Sequence, residues 1–106
     1  MKKIITLFAF VICLTACETT KKQVINAEKN AKGNLVGLAN KESFNQAPFN
    51  SWFDRNYNSY TPDAAVVSEI KKNLKGVTVK GFMGTWCGDS KRETPHFYKI
   101  LEAADF

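Results

Sequence analysis

A paired cysteine is missing from this chain. It holds three cysteines, Cys13, Cys17 and Cys87, and no two of them form a Cys-x-x-Cys motif. A dithiol site of that spacing is therefore excluded. Histidine is scarcer still, with His96 alone. Cys87, Asp89 and His96 can be imagined around a metal, but such sites normally hold three or four committed ligands. His96, next to Pro95, reads as a surface residue, so no metal and no cofactor is expected. No apolar run approaches the ~20 residues that a hydrocarbon core of about 30 Å requires. Basic residues outnumber acidic ones, 15 to 10, but the two signs are mixed: Lys71 and Lys72 follow Glu69, and Lys91 and Arg92 lie between Asp89 and Glu93. With no basic stripe interleaved with aromatics, nucleic acid is not an expected partner. There is no internal repeat. What remains is one small domain of ordinary globular composition, 44% hydrophobic and 24% charged.

The first residues carry a pattern of their own. Lys2 and Lys3 precede an apolar region of 11 residues, Ile4 to Leu14, which is the length of a secretory signal. An ordinary secretory signal and an uncleaved anchor are the plainer readings. The end of the segment, Leu14-Thr15-Ala16-Cys17, resembles the lipobox of bacterial lipoproteins. That resemblance implies cleavage before Cys17 and a lipid on its sulfur. Residues 1–16 are then a signal peptide. Lipid attachment through more than one chain gives stable membrane anchoring. Cys13 is lost with the signal and Cys17 is blocked, leaving Cys87 as the sole thiol, so its disulfide chemistry must pass through another molecule. Loss of Lys2 and Lys3 leaves 13 basic residues against 10 acidic.

Residues 17–33 are polar and read as a lipidated cysteine and flexible tether; the domain proper is expected over 34–106. Leu35, Val36 and Leu38 suggest a short strand. Pro48 to Tyr57 suggest a short helix with Phe49, Trp52 and Phe53 on one face. Such rings can stack on a ligand, but at helical spacing they more often bury, here as a cap on the core. Thr61 as N-cap, Pro62 at the first helical position and Asp63 in the first turn open a helix over about 62–75. Val66, Val67, Ile70 and Leu74 give its apolar face, and Gly76 its stop. Val77 to Met83 reads as a strand. A last helix is expected from Gly88–Ser90 to about Ala104, with Phe97, Ile100, Leu101 and Ala104 on its face and a kink or broken first turn at Pro95. The order is that of an α/β layer structure.

Cys87 falls at the junction of that strand and last helix. Helix N-termini present unpaired N–H groups and a positive dipole end, which lower a thiol's pKa. Ser90 lies one turn on, where its hydroxyl can reach the sulfur. Trp86 is placed to shield one side. Asp89 opposes the thiolate, while Lys91 and Arg92 offset it. A small buried hydrophobe is the plainer reading of a lone cysteine.

Trp86-Cys87-Gly88-Asp89-Ser90, the strand before it and Pro95 eight residues after Cys87 together resemble the active-site region of the thioredoxin superfamily. The likeness is to the TlpA-like thiol–disulfide oxidoreductases of the bacterial envelope. The close match covers about residues 77–101 and a looser one 34–106. It implies an incomplete thioredoxin-like fold with Cys87 as nucleophile, Ser90 and Trp86 shaping its site, and Pro95 as a structural kink. Its expected partners are envelope proteins with thiols or disulfides. A lipid-anchored protein, on the outer membrane and facing the periplasm, is the expected setting. Three departures accompany the likeness. Ser90 stands where the family has its resolving cysteine. Gly81 stands where thioredoxins hold a buried acid. The family's later strands, cis-proline loop and last helix have no counterpart before Phe106. The sequence is therefore expected to be an incomplete copy of a longer protein. Non-catalytic partner binding and an inactive fragment are the alternatives to exchange chemistry.

The lipobox reading has a direct check. The purified envelope protein is expected to begin at Cys17 with a diacylglycerol mass on that residue, and Cys17→Ala to abolish both; an unlipidated chain would overturn it.

Overall fold

The computed structural model describes residues 22–106. The segment read as a signal, Cys13 and the expected lipidation site Cys17 lie outside the described residues. Among the described residues the fold is mixed α/β, with three α-helices and one two-stranded sheet. β1 (Glu28–Lys29) pairs antiparallel with β2 (Leu35–Val36), with Glu28 opposite Val36 and Lys29 opposite Leu35. The hairpin reaches back across residue 33, so part of the stretch read as tether is hydrogen-bonded structure. Asn30 Oδ1 accepts from the N–H groups of Lys32 and Asn34 and closes the turn. Asn26 Oδ1 accepts from Leu38 N–H at 2.8 Å. Gly37, at φ +116°, permits this approach: a β-carbon there would stand 2.8 Å from the Asn26 carbonyl oxygen.

A 3₁₀ turn over Lys41–Phe44 follows, held by a reciprocal cap between Asn40 and Ser43. It delivers Phe44 to α1 (Phe49–Ser59). Phe44, Phe49, Trp52 and Phe53 are buried together, with Leu35, Tyr57 and Tyr98 packed against them. The Phe44 and Phe53 rings stack with centroids 5.1 Å apart. Expected to cap a core, these rings are instead the core, because nothing else in the described chain buries as much apolar surface.

α2 (Ala64–Asn73) begins two residues later than expected. Asp63, not Thr61, is its N-cap, and its carboxylate accepts from both Ala65 and Val66 N–H. Two amide donors on one carboxylate outcompete a single hydroxyl, and Pro62 is left outside the helix. α2 buries none of its residues. Lys71 forms an ion pair with Asp105, beyond the end of α3.

Val77 to Met83 is not a strand. It forms no ladder, since β-branched residues supply propensity but only a neighbouring strand supplies the hydrogen bonds. α3 (Gly88–Ala103) runs unbroken through Pro95. The expected break is absent for a reason visible in the packing. Pro95 has no N–H to give the Lys91 carbonyl, and Asn56 Nδ2 of α1 donates to that carbonyl at 3.0 Å. Pro95 itself is fully buried. Lys99 Nζ then donates to the Tyr57 carbonyl at 2.8 Å, and Glu102 accepts from Tyr57 and Lys41. The face of α3 that meets α1 therefore carries Pro95, Tyr98, Lys99 and Glu102. Of the expected apolar face, only Ala104 is buried. Phe97 and Leu101 look instead into an open groove of about 980 Å³, shared with Leu38, Val79 and Met83.

Asn56→Ala strands the Lys91 carbonyl and is expected to cost about 1–2 kcal/mol in urea unfolding. Pro95→Ala restores the helical donor, so the same substitution in that background is expected to cost markedly less. Additive effects would show that the two groups are not coupled.

Candidate functional site

The segment Gly84–Ser90 is built as a tight turn feeding a helix. Cys87 N–H donates to the Gly84 carbonyl at 3.0 Å, closing the turn. Cys87, with extended backbone at φ −90° and ψ 126°, is the N-cap of α3. Lys91 N–H donates to the Cys87 carbonyl at 3.0 Å, the first bond of the helix. The thiol thus projects from the N-terminus of a 16-residue helix. Cys87 is half-buried, and it is a free thiol.

Its pKa is held below the ordinary value. The backbone N–H of Ser90 is the main cause, followed by the Ser90 hydroxyl and the backbone N–H of Asp89. Partial burial and the Asp89 carboxylate oppose them. The sulfur closes no side-chain cap hydrogen bond, so these donors act as nearby partial charges that favour a thiolate. Ser90 Oγ accepts from Gly84 N–H at 3.2 Å. That leaves the hydroxyl proton free to turn toward sulfur. The adverse charge of Asp89 is drawn away by Arg92, 3.1 Å from its carboxylate. Arg92 also pairs with Glu93 at 2.6 Å.

Trp86 lies beside the thiol in sequence but is 73% exposed. Its indole folds back over Gly84, where a β-carbon would sit 2.7 Å from Cε2. It walls the turn from the solvent side and does not cover the sulfur with a closed lid. Pro95 lies two turns into α3, where it fixes the helix to α1. Gly81 is exposed with no neighbour within 4 Å of a notional β-carbon, so that position offers no proton relay to Cys87. His96 is not a bare surface residue: it stacks on Tyr60 at 4.2 Å, its side chain only 19% exposed. That places it in a structural contact with Tyr60. Among the described residues no group of three or more His, Cys, Asp or Glu could hold a metal, and no helix is long and apolar enough to cross a membrane.

Two positioning residues went unread in the sequence. Thr85 is 5% exposed, and its Oγ1 accepts from Leu35 N–H at 3.0 Å. It ties the turn carrying Cys87 to β2. Asn56 secures the helix behind the thiol. The proline in α3 signals an orphan carbonyl four residues earlier and hence a donor to be sought. Thr85 gives no comparable signal, because its partner lies 50 residues away. Comparison with protein-family models, curated proteins and solved structures returns no match for this chain.

Alkylation of Cys87 in the full chain carrying Cys13→Ser and Cys17→Ser is expected to show a midpoint pH below that in denaturant. Ser90→Ala is expected to raise the midpoint only part of the way, since the Ser90 N–H, the leading cause, remains. Coincident native and denatured curves would sink the activated-thiol reading.

Proposed function

We propose that this chain is a lipid-anchored, thioredoxin-like protein of the bacterial envelope that carries out thiol–disulfide exchange through Cys87. The observation that carries this reading is the position of Cys87 at the N-cap of α3, with Ser90 N–H, Ser90 hydroxyl and Asp89 N–H lowering its pKa. The Trp86-Cys87-Gly88-Asp89-Ser90 turn with Pro95 eight residues on supports the likeness to the thioredoxin superfamily.

The Cys87 thiolate attacks one sulfur of a partner's disulfide. The partner's S–S bond breaks, a new bond joins Cys87 Sγ to that sulfur, and the departing sulfur leaves as a thiolate that takes a proton from water. Ser90 holds no thiol with which to expel the product. The mixed disulfide therefore lasts until a second thiol, from the partner or from a small-molecule thiol, attacks Cys87 Sγ or its bonded sulfur. Such a cycle reshuffles disulfides without a dithiol of its own. Lowered pKa serves both halves: it populates the attacking thiolate and makes Cys87 a better leaving group. Attachment through Cys17, on the outer membrane and facing the periplasm, sets this chemistry where disulfides persist.

A second reading is favoured by the same Ser90 and by the exposed indole of Trp86: a non-catalytic domain that binds a partner through the rim of the turn. The two readings part on one substitution. With exchange chemistry, mixed disulfides trapped by acid quenching of envelope extracts are expected to vanish in Cys87→Ser, while Ser90→Cys shortens their lifetime. Partner binding that survives Cys87→Ser with no trapped disulfide in the parent chain would favour the binding reading.

A further inference from the structure

Thr85 is the one buried polar side chain among the described residues, and it lies in the turn that carries Cys87. Burying a hydroxyl is costly unless it is hydrogen-bonded, and this one accepts from the Leu35 N–H. Leu35 is fixed in its turn. It stands opposite Lys29 in the β1–β2 pair, and its side chain packs against the aromatic cluster. The bond therefore ties the turn to the core through β2.

The residue before it, Gly84, holds both Cys87 and Ser90. Its carbonyl accepts from Cys87 N–H at 3.0 Å, and its N–H donates to Ser90 Oγ at 3.2 Å. Glycine fixes neither direction by itself, because it has the widest choice of backbone angles. The Gly84 carbonyl shares a rigid peptide plane with Thr85, so a clamp on Thr85 limits how that plane can turn. We propose that Thr85 is a positioning residue for the exchange reaction, clamped by Leu35 so that Gly84 holds Ser90 Oγ and the Ser90 hydroxyl proton is turned toward Cys87 Sγ. A serine hydroxyl near a helix start has other partners to turn to, its own backbone among them. By occupying Oγ as an acceptor, Gly84 N–H leaves the proton as the group that Ser90 can offer. Thr85 acts through Gly84 and Ser90, not on the sulfur itself. The inference rests on the exchange chemistry of Cys87, and it adds the β1–β2 hairpin, 50 residues away in sequence at Leu35, to that site.

The test follows Cys87 alkylation against pH in the full chain carrying Cys13→Ser and Cys17→Ser. Thr85→Val keeps the branched shape and removes the hydroxyl. It is expected to raise the midpoint, and at a pH well below the midpoint to cut the thiolate fraction about two- to fivefold, the effect of one hydrogen bond. Thr85→Ser restores the acceptor and is expected to return the midpoint to that of the parent. In a Ser90→Ala background Thr85→Val is expected to shift nothing further, because the group it positions is gone. Asp63→Ala, which removes the N-cap of α2, is the control for stability. It is expected to ease unfolding in urea and leave the midpoint unmoved. None of these substitutions alters Asp89 or its partner Arg92, the charges beside the sulfur. The parent chain supplies a check that needs no variant to fold: its Leu35 and Gly84 amides are expected to be protected from hydrogen exchange. Free exchange at either amide would overturn the proposal. So would an equal shift from Thr85→Val with and without Ser90, a failure of Thr85→Ser to rescue, or a matching shift in Asp63→Ala. A parent curve that coincides with the denatured one sinks the exchange reading and this one together. A lowered parent curve that Thr85→Val does not move sinks this one alone.

Discussion

Pro95 takes one hydrogen-bond donor out of the middle of α3, and the arrangement of the helices follows from how that loss is made good. The Lys91 carbonyl is served from α1 by Asn56. With that bond made, the rest of the α1–α3 seam falls into line one turn at a time, through Lys99 on the Tyr57 carbonyl and Glu102 on the Tyr57 hydroxyl. The aromatic cluster of Phe44, Phe49, Trp52 and Phe53 lies along the same seam. A residue that would weaken a solitary helix thus becomes its point of attachment. Because α3 is held in its middle, its N-terminus is held too, and with it the donors that face Cys87.

The thiol sits in a site made of backbone more than of side chains. Ser90 and Asp89 contribute their amides first, and only Ser90 adds a side-chain group that favours the thiolate. Asp89 contributes a charge of the wrong sign, and Arg92 partly takes it up. Such a site keeps much of its character through substitutions that leave the helix start intact. It is more exposed to changes that loosen the turn, and Thr85 is the residue that braces that turn against β2.

The helices were legible because their periodicity is local. Phe49, Trp52 and Phe53 announced α1, and the glycine-to-alanine run after Cys87 announced α3 to within a residue of its observed end. The start of α2 was misplaced because two adjacent cap formers, Thr61 and Asp63, compete, and the carboxylate engages two amides. Val77–Met83 has the composition of a strand, but a ladder belongs to two segments, and one segment's residues do not specify the other. The same limit hid Thr85 and Asn56: their partners stand 50 and 35 residues away. For the site itself, Cys87 and Ser90 were readable from their spacing to the helix start. The orientation of Trp86 was not, since it depends on the space left by Gly84.

That space links two positions of the chain. The indole of Trp86 occupies the volume that a β-carbon at residue 84 would need. The two residues therefore hold one vacancy between them, and only one of them can use it. A larger residue at 84 would displace the indole from the turn, and a smaller residue at 86 would leave the turn uncovered. The two positions are thus coupled through one volume, and sequences that alter one of them are constrained in their choice of the other.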